Sequence, residues 1–290
     1  MHEIGLSRFE NIPFILHHCG VCLDAAMFED YAEIVFNEKI APRTYLMGLR
    51  SPRVVEAAMP GQFVMVRVRS GNDPLLRRPF SIAGTKEGEL LLILYRVVGK
   101  GTAIMAETRE GERFSLLGPL GRGFELPKRN QASLLVAGGI GIAPLFFLIQ
   151  KVNSRSVQLM TGFGSADEII GIERVGDFPI DISIATDDGT AGHAGPVTDL
   201  MESFLRDRSS HKDALSIFAC GPQAMLKKVA AMALDKALPC QASLEATMAC
   251  GLGACQGCAI KASSGENRTY YHVCADGPVF PVQSIDWDSL

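Results

Sequence analysis

Four cysteines in the C-terminal part of the sequence have a spacing that suits metal binding. The chain has 290 residues and eight cysteines, and half of these lie beyond residue 249: Cys250, Cys255, Cys258 and Cys274. The first three form C-x4-C-x2-C, and the fourth follows the third after fifteen intervening residues. This spacing is typical of the thiolates that hold a plant-type [2Fe-2S] cluster. The sequence therefore predicts that these four cysteines bind iron.

Glycines between these cysteines fit the same chemistry. Gly251, Gly253 and Gly257 let the backbone approach closely, so that its N–H groups can turn toward the sulfur atoms. A structural zinc site is the alternative, but zinc ligands usually come in two paired knuckles, and Cys274 has no second cysteine beside it. A zinc-stabilised binding protein thus remains open as a different functional class, which a visible spectrum would distinguish.

Two further motifs could hold a flavin. Arg78-Pro79-Phe80-Ser81 lies where a strand should begin, and Tyr95-Arg96-Val97 lies on the next strand, followed by Gly99-Lys100-Gly101-Thr102. Together they could supply a cation for a pyrophosphate, hydroxyl and backbone donors for a flavin ring, and glycine amides for phosphates. Each motif alone is equally compatible with a surface charge, a core residue or an ordinary turn.

Glycine-rich turns also suggest a nucleotide site. Gly138-Gly139-Ile140-Gly141-Ile142-Ala143-Pro144 lies between a predicted strand and a helix, so its amides would face an anion at the helix N-terminus. It is not the spaced G-x-G-x-x-G fingerprint. Cys220-Gly221-Pro222 follows a later strand, and open α/β sheets bind ligands at such carboxyl ends. Asp187-Asp188-Gly189 closes another strand, where a solvated turn explains it equally well.

The predicted secondary structure that must position these motifs changes near residue 130. Before that point, short apolar strands separated by turns predict a small β-barrel or sandwich: Ala32–Phe36, Tyr45–Leu49, Phe63–Val68, Leu90–Arg96 and Arg113–Leu117. After it, strands alternate with helices, which predicts a doubly wound parallel sheet. The strands are Ser133–Ala137, Val157–Thr161, Ile180–Thr186 and Leu215–Ala219, and the helices are Pro144–Val152, one after Pro196, and Gln223–Ala237.

The sequence thus predicts a multidomain β plus α/β protein. Residues 1–30 form an N-terminal extension, 31–128 a β-barrel with the flavin motifs, 129–239 an α/β domain with the nucleotide turns and 240–290 a small [2Fe-2S] domain. The last segment has too few large apolar residues for a core of its own, so metal bonds must help to hold it. Cys220 and Cys240 stand apart and are expected to be small buried hydrophobes.

Composition excludes several functional classes. The net charge of -4 offers no basic field for nucleic acid, and no apolar run reaches the roughly 20 residues that a membrane helix needs. The first residues lack a signal peptide's order of charged and apolar regions. The sequence is therefore expected to belong to a cytoplasmic protein.

Taken together, the motifs resemble the ferredoxin reductase superfamily, and within it the electron-transfer subunits of the two-subunit, NAD-linked (class 1B) dihydroorotate dehydrogenases of bacteria. The resemblance covers about residues 31–290. It rests on Arg78-Pro79-Phe80-Ser81, Leu94-Tyr95-Arg96 with Gly101-Thr102, Gly138 to Pro144, Cys220-Gly221-Pro222, and the four-cysteine tail that ends Cys274-Ala275-Asp276-Gly277-Pro278-Val279-Phe280. Phe80 stands where many superfamily members have tyrosine, and His17-His18-Cys19-Gly20-Val21-Cys22 has no recognised counterpart.

The resemblance implies an oxidoreductase subunit without a catalytic acid, base or nucleophile. FAD would contact Arg78 to Ser81, Leu94 to Arg96, Gly101 and Thr102, and NAD, as an exchangeable substrate, would contact Gly138, Gly139, Gly141, Pro144, Cys220, Gly221 and Pro222. Electrons would pass from the FMN of a catalytic partner through the cluster and FAD to NAD in pyrimidine biosynthesis, within a heterotetramer. The alternative is the same redox module serving a hydrogenase, sulfide dehydrogenase or transhydrogenase complex.

Overall fold

The chain is described by a computed structural model that covers residues 27–152, 156–174, 176–207 and 214–290. The motif with His17, His18, Cys19 and Cys22 lies outside the described residues. A closed barrel, a mostly parallel sheet and a cysteine-containing segment follow one another along the chain, as predicted. No helix of this described part has the length and apolar composition needed to cross a membrane.

The barrel consists of six antiparallel strands in the order β1-β2-β5-β4-β3-β6. Alternating side chains fill its interior, among them Val64, Val66, Ile82 and Ile93. Two short helices accompany it, which the sequence pattern did not predict because six or eight residues give little periodicity. The elements are β1 Phe28–Ala41, β2 Thr44–Arg50, α1 Pro52–Ala57, β3 Phe63–Arg67, β4 Arg78–Lys86, β5 Leu90–Arg96, α2 Lys100–Glu107 and β6 Arg113–Leu120.

The second part is a seven-stranded sheet in the order β10-β9-β8-β7-β11-β12-β15, parallel except at β15. Helix α3 packs on one face, and α4 and α5 pack on the other, so the sheet is doubly wound as predicted. The elements are β7 Ala132–Gly138, α3 Ile142–Lys151, β8 Ser156–Phe163, β9 Asp181–Thr186, β10 His193–Ala194, α4 Val197–Asp207, β11 Leu215–Cys220, α5 Gln223–Asp235, β12 Cys240–Ser243, β13 Ala259–Lys261, β14 Tyr270–His272 and β15 Val279–Pro281.

The segment after residue 239 divides between two structures. β13 and β14 form a separate two-stranded sheet, whereas β12 and β15 belong to the large sheet and so cross the predicted boundary at 239/240. Cys258 and Cys274 join the apolar core that also contains Met65 of the barrel. The segment therefore shares a core with its neighbours.

Candidate functional site

The barrel opens between β4 and β5. The two strands pair from Lys86 opposite Leu90 to Ile82 opposite Ile93. Beyond that point Arg78–Ser81 pair only with β3, and Leu94–Arg96 pair only with β2. On the edges that face each other, the main-chain N–H and C=O groups of these two strand ends therefore make no β-sheet pairing among the described residues. Because buried backbone N–H and C=O groups require partners, a planar ligand with donors and acceptors suits this groove.

Arg78 lies against the first turn of α2. A Cβ atom placed on Gly101 would be 3.1 Å from the Arg78 Nε, so glycine is what lets the guanidinium approach the helix. Arg78 also donates to the carbonyl of Leu76. The Thr102 hydroxyl accepts hydrogen bonds from the N–H groups of Val98 and Gly99, at 2.9 and 3.2 Å, and so shapes the turn. A guanidinium beside a helix N-terminus suits a diphosphate.

The side chains of Leu94 and Tyr95 are directed away from the groove. Tyr95 is buried inside the barrel, where its hydroxyl donates to the Asn37 Oδ1 at 2.9 Å and its ring stacks on Tyr45 at 5.5 Å. Burial holds the pKa of the Tyr95 phenol well above its usual range. Leu94 lies in the core shared with α3. Both residues can therefore offer only main-chain groups to a flavin.

Pro79, Phe80, Ser81 and Arg96 complete the predicted flavin set, and Pro79 lies opposite Met65 of β3. The Phe80 ring stands edge-on to Tyr95 at 6.1 Å, and the Ser81 hydroxyl has no hydrogen-bond partner among the described residues. Arg96 Nη2 contacts Glu168 Oε2 at 3.3 Å, which joins the barrel to the nucleotide sheet. The Arg96 Nε is buried and lacks a partner within the described part of the chain. Unused donors at this groove fit a phosphorylated flavin cofactor.

The two predicted nucleotide turns are in direct contact at the carboxyl edge of the sheet. A Cβ on Gly141 would be 2.5 Å from the Cys220 carbonyl oxygen, and one on Gly138 would be 2.6 Å from Pro222 Cδ. A Cβ on Gly221 would be 2.8 Å from the Gly138 nitrogen. Only glycine permits this approach. The structure thus brings both predicted NAD elements together.

The residues around these turns differ in the groups that they can offer to a nucleotide. Gly139 has a φ of +52° and open space beside it, whereas Pro144 is buried in the first turn of α3, where proline is tolerated. Burial raises the pKa of the Cys220 thiol to about 12, so it stays neutral and contributes backbone groups. The Asp188 carboxylate accepts hydrogen bonds from the N–H and hydroxyl of Thr190, at 3.0 and 2.6 Å, and so closes its own turn.

The four tail cysteines form two pairs. The sulfur atoms of Cys258 and Cys274 are 3.2 Å apart, and both residues are buried. The Cys250 sulfur accepts N–H hydrogen bonds from Leu252 and Cys255, at 3.3 and 3.4 Å, and also interacts with the Cys255 thiol. Although desolvation opposes them, these hydrogen bonds lower the pKa of Cys250 to about 7. A lowered thiol pKa favours metal binding.

This arrangement distinguishes between the two metal hypotheses. A zinc ion needs four ligands around a single point, whereas a [2Fe-2S] cluster takes two thiolates at each iron. The pairing of Cys258 with Cys274 and of Cys250 with Cys255 therefore fits two irons.

The loop that holds these cysteines is seated on the barrel. Gly251 has a φ of +75°, and a Cβ there would be 2.6 Å from Met65 Cγ on β3. Gly253, at φ +77°, donates its N–H to the Cys274 sulfur at 3.1 Å. Because β3 pairs with β4, the cysteine loop and the flavin groove lie on adjoining strands.

The sequence did not identify Asn37 or Glu245. Glu245 follows β12 and lies close enough to Cys220 for its charge to raise the pKa of that thiol. Glu245 is exposed at the surface, yet desolvation by the residues around it raises the pKa of its carboxyl. An isolated glutamate beyond a four-residue strand gives no sequence signal, and only the fold places it here.

Comparisons with known proteins agree with this geometry. Residues 245–286 match the iron-sulfur cluster binding domain of dihydroorotate dehydrogenase B. The chain is 39% identical to the electron transfer subunit of dihydroorotate dehydrogenase B (NAD(+)) from Desulforamulus reducens, over 89% of this chain and 98% of that one. It is 42% identical to the subunit of the same description from Bacillus caldolyticus, over 83% and 92% of the two chains.

Solved structures extend the likeness to the fold. An NADH-dependent reduced ferredoxin-NADP oxidoreductase, described in relation to flavin-based electron bifurcation, superposes with a TM-score of 0.77 at 31% identity, covering 90% of this chain and 91% of that one. The ferredoxin reductase of carbazole 1,9a-dioxygenase has a TM-score of 0.64 at 20% identity, over 75% and 68% of the two chains, and shows the fold alone.

The barrel, the nucleotide sheet and the four-cysteine segment together define a flavin- and iron-sulfur-dependent, NAD-linked oxidoreductase with the ferredoxin reductase fold. Within that class, the chain belongs to the family of electron transfer subunits of dihydroorotate dehydrogenase B (NAD(+)).

Proposed function

We propose that this chain relays electrons between the FMN of a dihydroorotate dehydrogenase catalytic subunit and NAD, in a heterotetramer containing two copies of each subunit. The observation that carries the proposal is the seating of two thiol pairs against the strand beside the flavin groove. An iron-sulfur site and a flavin site on adjoining strands are what an electron relay requires. The family membership supports the identity of the partner.

The separate roles of the cofactors and of the protein residues follow from cofactor chemistry. When bound, FAD supplies the exchange between hydride, which NAD requires, and the single electrons that an iron-sulfur cluster carries. The residues of this chain bind and orient. Arg78 and the first turn of α2 would hold the diphosphate, and the main-chain edge of Leu94–Arg96 that does not pair with β4 would orient the flavin ring. The turns at Gly138–Gly141 and Gly221 bind the NAD diphosphate, and the four cysteines hold the iron.

No side chain is required as an acid, base or nucleophile. The contribution of the protein is to place the groups and to set their potentials through hydrogen bonds to sulfur and through burial. The N–H groups of Leu252, Gly253 and Cys255 already point at the cysteine sulfur atoms. These bonds stabilise negative charge on sulfur.

Co-expression with the dihydroorotate dehydrogenase catalytic subunit of the same organism tests the proposal. We expect a stable complex that contains FAD, FMN, iron and acid-labile sulfide, oxidises dihydroorotate with NAD, and has the mass of a heterotetramer by sedimentation. The absence of a complex, or zinc without iron in anaerobically purified protein, would refute it.

A second partner has support from one observation. The chain shares 31% identity with an NADH-dependent reduced ferredoxin-NADP oxidoreductase, so the same redox module could serve a transhydrogenase complex. The two functions differ in what co-purifies with the chain from its native cells. A dihydroorotate dehydrogenase subunit supports the first function, and a second pyridine-nucleotide oxidoreductase supports the other.

A further inference from the structure

The loop between β3 and β4, residues 68–77, presents two leucines to solvent. Leu75 is 64% exposed and Leu76 is 47% exposed. The loop is tied in place, because the Arg69 Nε donates to the Asp73 carbonyl at 2.9 Å and the Asp73 carboxylate pairs with Lys100 of α2. Single exposed leucines are common on protein surfaces. Two adjacent ones on a tethered loop form an apolar patch with a fixed position.

Arginines surround this patch. Arg77 pairs with Glu29 at 2.6 Å, but Arg67 and Arg69 donate only to main-chain carbonyls, and no carboxylate of the described residues lies within ion-pair distance of either. The Arg67 Nε is buried and has no partner in the described part of the chain. In a chain with a net charge of -4, this is a local excess of positive charge.

Two of these arginines lie beside the cysteine loop. Strand alternation places Met65 and Arg67 on the same face of β3, and Gly251 of the cysteine loop covers Met65. The next residue, Leu252, is 41% exposed. Arg77 reaches the Met65 carbonyl at 3.4 Å. Arg67, Arg77 and Leu252 thus lie beside the loop that carries three of the four tail cysteines.

We propose that loop 68–77, together with Leu252, is a docking surface for the catalytic subunit, which would present an apolar pocket to Leu75 and carboxylates to Arg67 and Arg69. This inference rests on the proposed function. An apolar centre with arginines around it is typical of specific interfaces. A second copy of this chain fits poorly, because a twofold contact of this surface with itself would bring arginines against arginines.

Binding measurements on the FAD- and cluster-loaded chain test the proposal. The dissociation constant for the catalytic subunit of the same organism would be measured by calorimetry at low and at high salt. We expect Leu75→Ser to raise the Kd at least tenfold, and Arg69→Gln to raise it several-fold at low salt and to reduce its salt dependence. Flavin and cluster absorbance and NADH-dependent dye reduction should match those of the wild type.

Leu234→Ser is the matched control, because Leu234 is 48% exposed on α5 of the nucleotide sheet. Its Kd should equal that of the wild type. Wild-type affinity in both loop variants would overturn the inference and leave the proposed function intact. A self-associated chain that Leu75→Ser dissociates would also overturn it, by assigning the surface to a second copy. Failure of the wild-type chain to bind the catalytic subunit would overturn the inference and the partner assignment together.

Discussion

The four tail cysteines differ in their surroundings. Cys258 and Cys274 are each 2% exposed, whereas Cys255 lies at the surface. The buried pair needs metal bonds to offset the cost of burying charged sulfur, because desolvation raises the pKa of Cys274 to about 12 when no ion is present. Metal binding and the local structure of this segment are therefore coupled.

The first prediction concerns iron. Cys255→Ser or Cys258→Ser should remove the iron and acid-labile sulfide while FAD stays bound, because the flavin groove is formed by the barrel strands. The measurements are metal analysis and the visible spectrum. Cys240→Ala, which replaces a cysteine outside the cluster spacing, is the control and should keep its iron. Retention of iron in both serine variants would remove these cysteines from the site.

The second prediction concerns flavin binding. Arg78→Ala should weaken FAD binding by about 1.5–3 kcal/mol, the loss expected for a hydrogen bond to a charged group. This corresponds to a roughly ten- to hundredfold higher Kd, measurable by flavin fluorescence. Arg113→Ala, at the start of β6, is the matched control and should bind FAD normally. Unchanged affinity in Arg78→Ala would exclude this residue from the site.

The third prediction separates folding from binding at Tyr95. Tyr95→Phe removes the hydrogen bond to Asn37 inside the barrel, so the free energy of unfolding should fall by about 0.5–1.5 kcal/mol. Because the Tyr95 hydroxyl is directed away from the groove, the flavin spectrum and the FAD Kd should not change. A shifted flavin spectrum would show that the hydroxyl reaches the cofactor.

The fourth prediction concerns pH and Glu245. Burial raises the folded-state pKa of this carboxyl, so the stabilising effect of its protonation is present below the unfolded pKa and is lost as the pH rises through the folded one. Glu245→Gln should therefore gain thermal stability relative to the wild type as the pH increases from about 5 to 8. Melting curves at both pH values measure this, and a constant difference would contradict it.

At the scale of single residues, the sequence indicates candidates where the spacing itself suggests chemistry. The cysteine spacing and both glycine turns can be recognised within short stretches of the sequence. The direction of the Tyr95 side chain was not predictable, because Leu90–Tyr95 is a continuous apolar run whose alternation does not indicate a facing side. Glu245 and Asn37 acquire their roles only through contacts with residues distant in the sequence.

At the scale of elements, the gap between β4 and β5 is the feature that forms the flavin groove. It arises from strand pairing. Beyond Ile82 opposite Ile93, the end of β4 pairs only with β3 and the end of β5 pairs only with β2. Sequence patterns give strands but not their pairing limits. The motif residues were therefore predicted, whereas the groove that unites them was not.

A fifth prediction belongs to the ends of β8 and β9. Carboxylates gather there, and Arg96 is paired with Glu168. A 2′-phosphate usually requires a free arginine or lysine near the ribose. We expect kcat/KM for NADH to exceed that for NADPH at least tenfold in a dye-reduction assay. Near-equal values would indicate a cation from elsewhere, such as Arg174. The carboxylates are Asp167, Glu168, Asp187 and Asp188.

At the scale of the whole molecule, the chain combines a hydride site with an exit for single electrons. It should reduce artificial acceptors with NADH when purified alone, yet it should not oxidise dihydroorotate until the catalytic subunit is added. Steady-state assays of the separate and the mixed subunits measure this. Dihydroorotate oxidation by the isolated chain would place a substrate site within it.

The large sheet contains strands of both the nucleotide domain and the iron-binding segment, and this limits which deletions the protein can tolerate. β11 runs between β7 and β12, and β12 comes from the iron-binding segment. Deleting residues 240–290 would leave β11 as a bare edge that invites aggregation. The segment is thus not a detachable cassette. A variant of this protein could lose its iron and keep the segment. A variant that lost the segment would expose the edge of the nucleotide sheet.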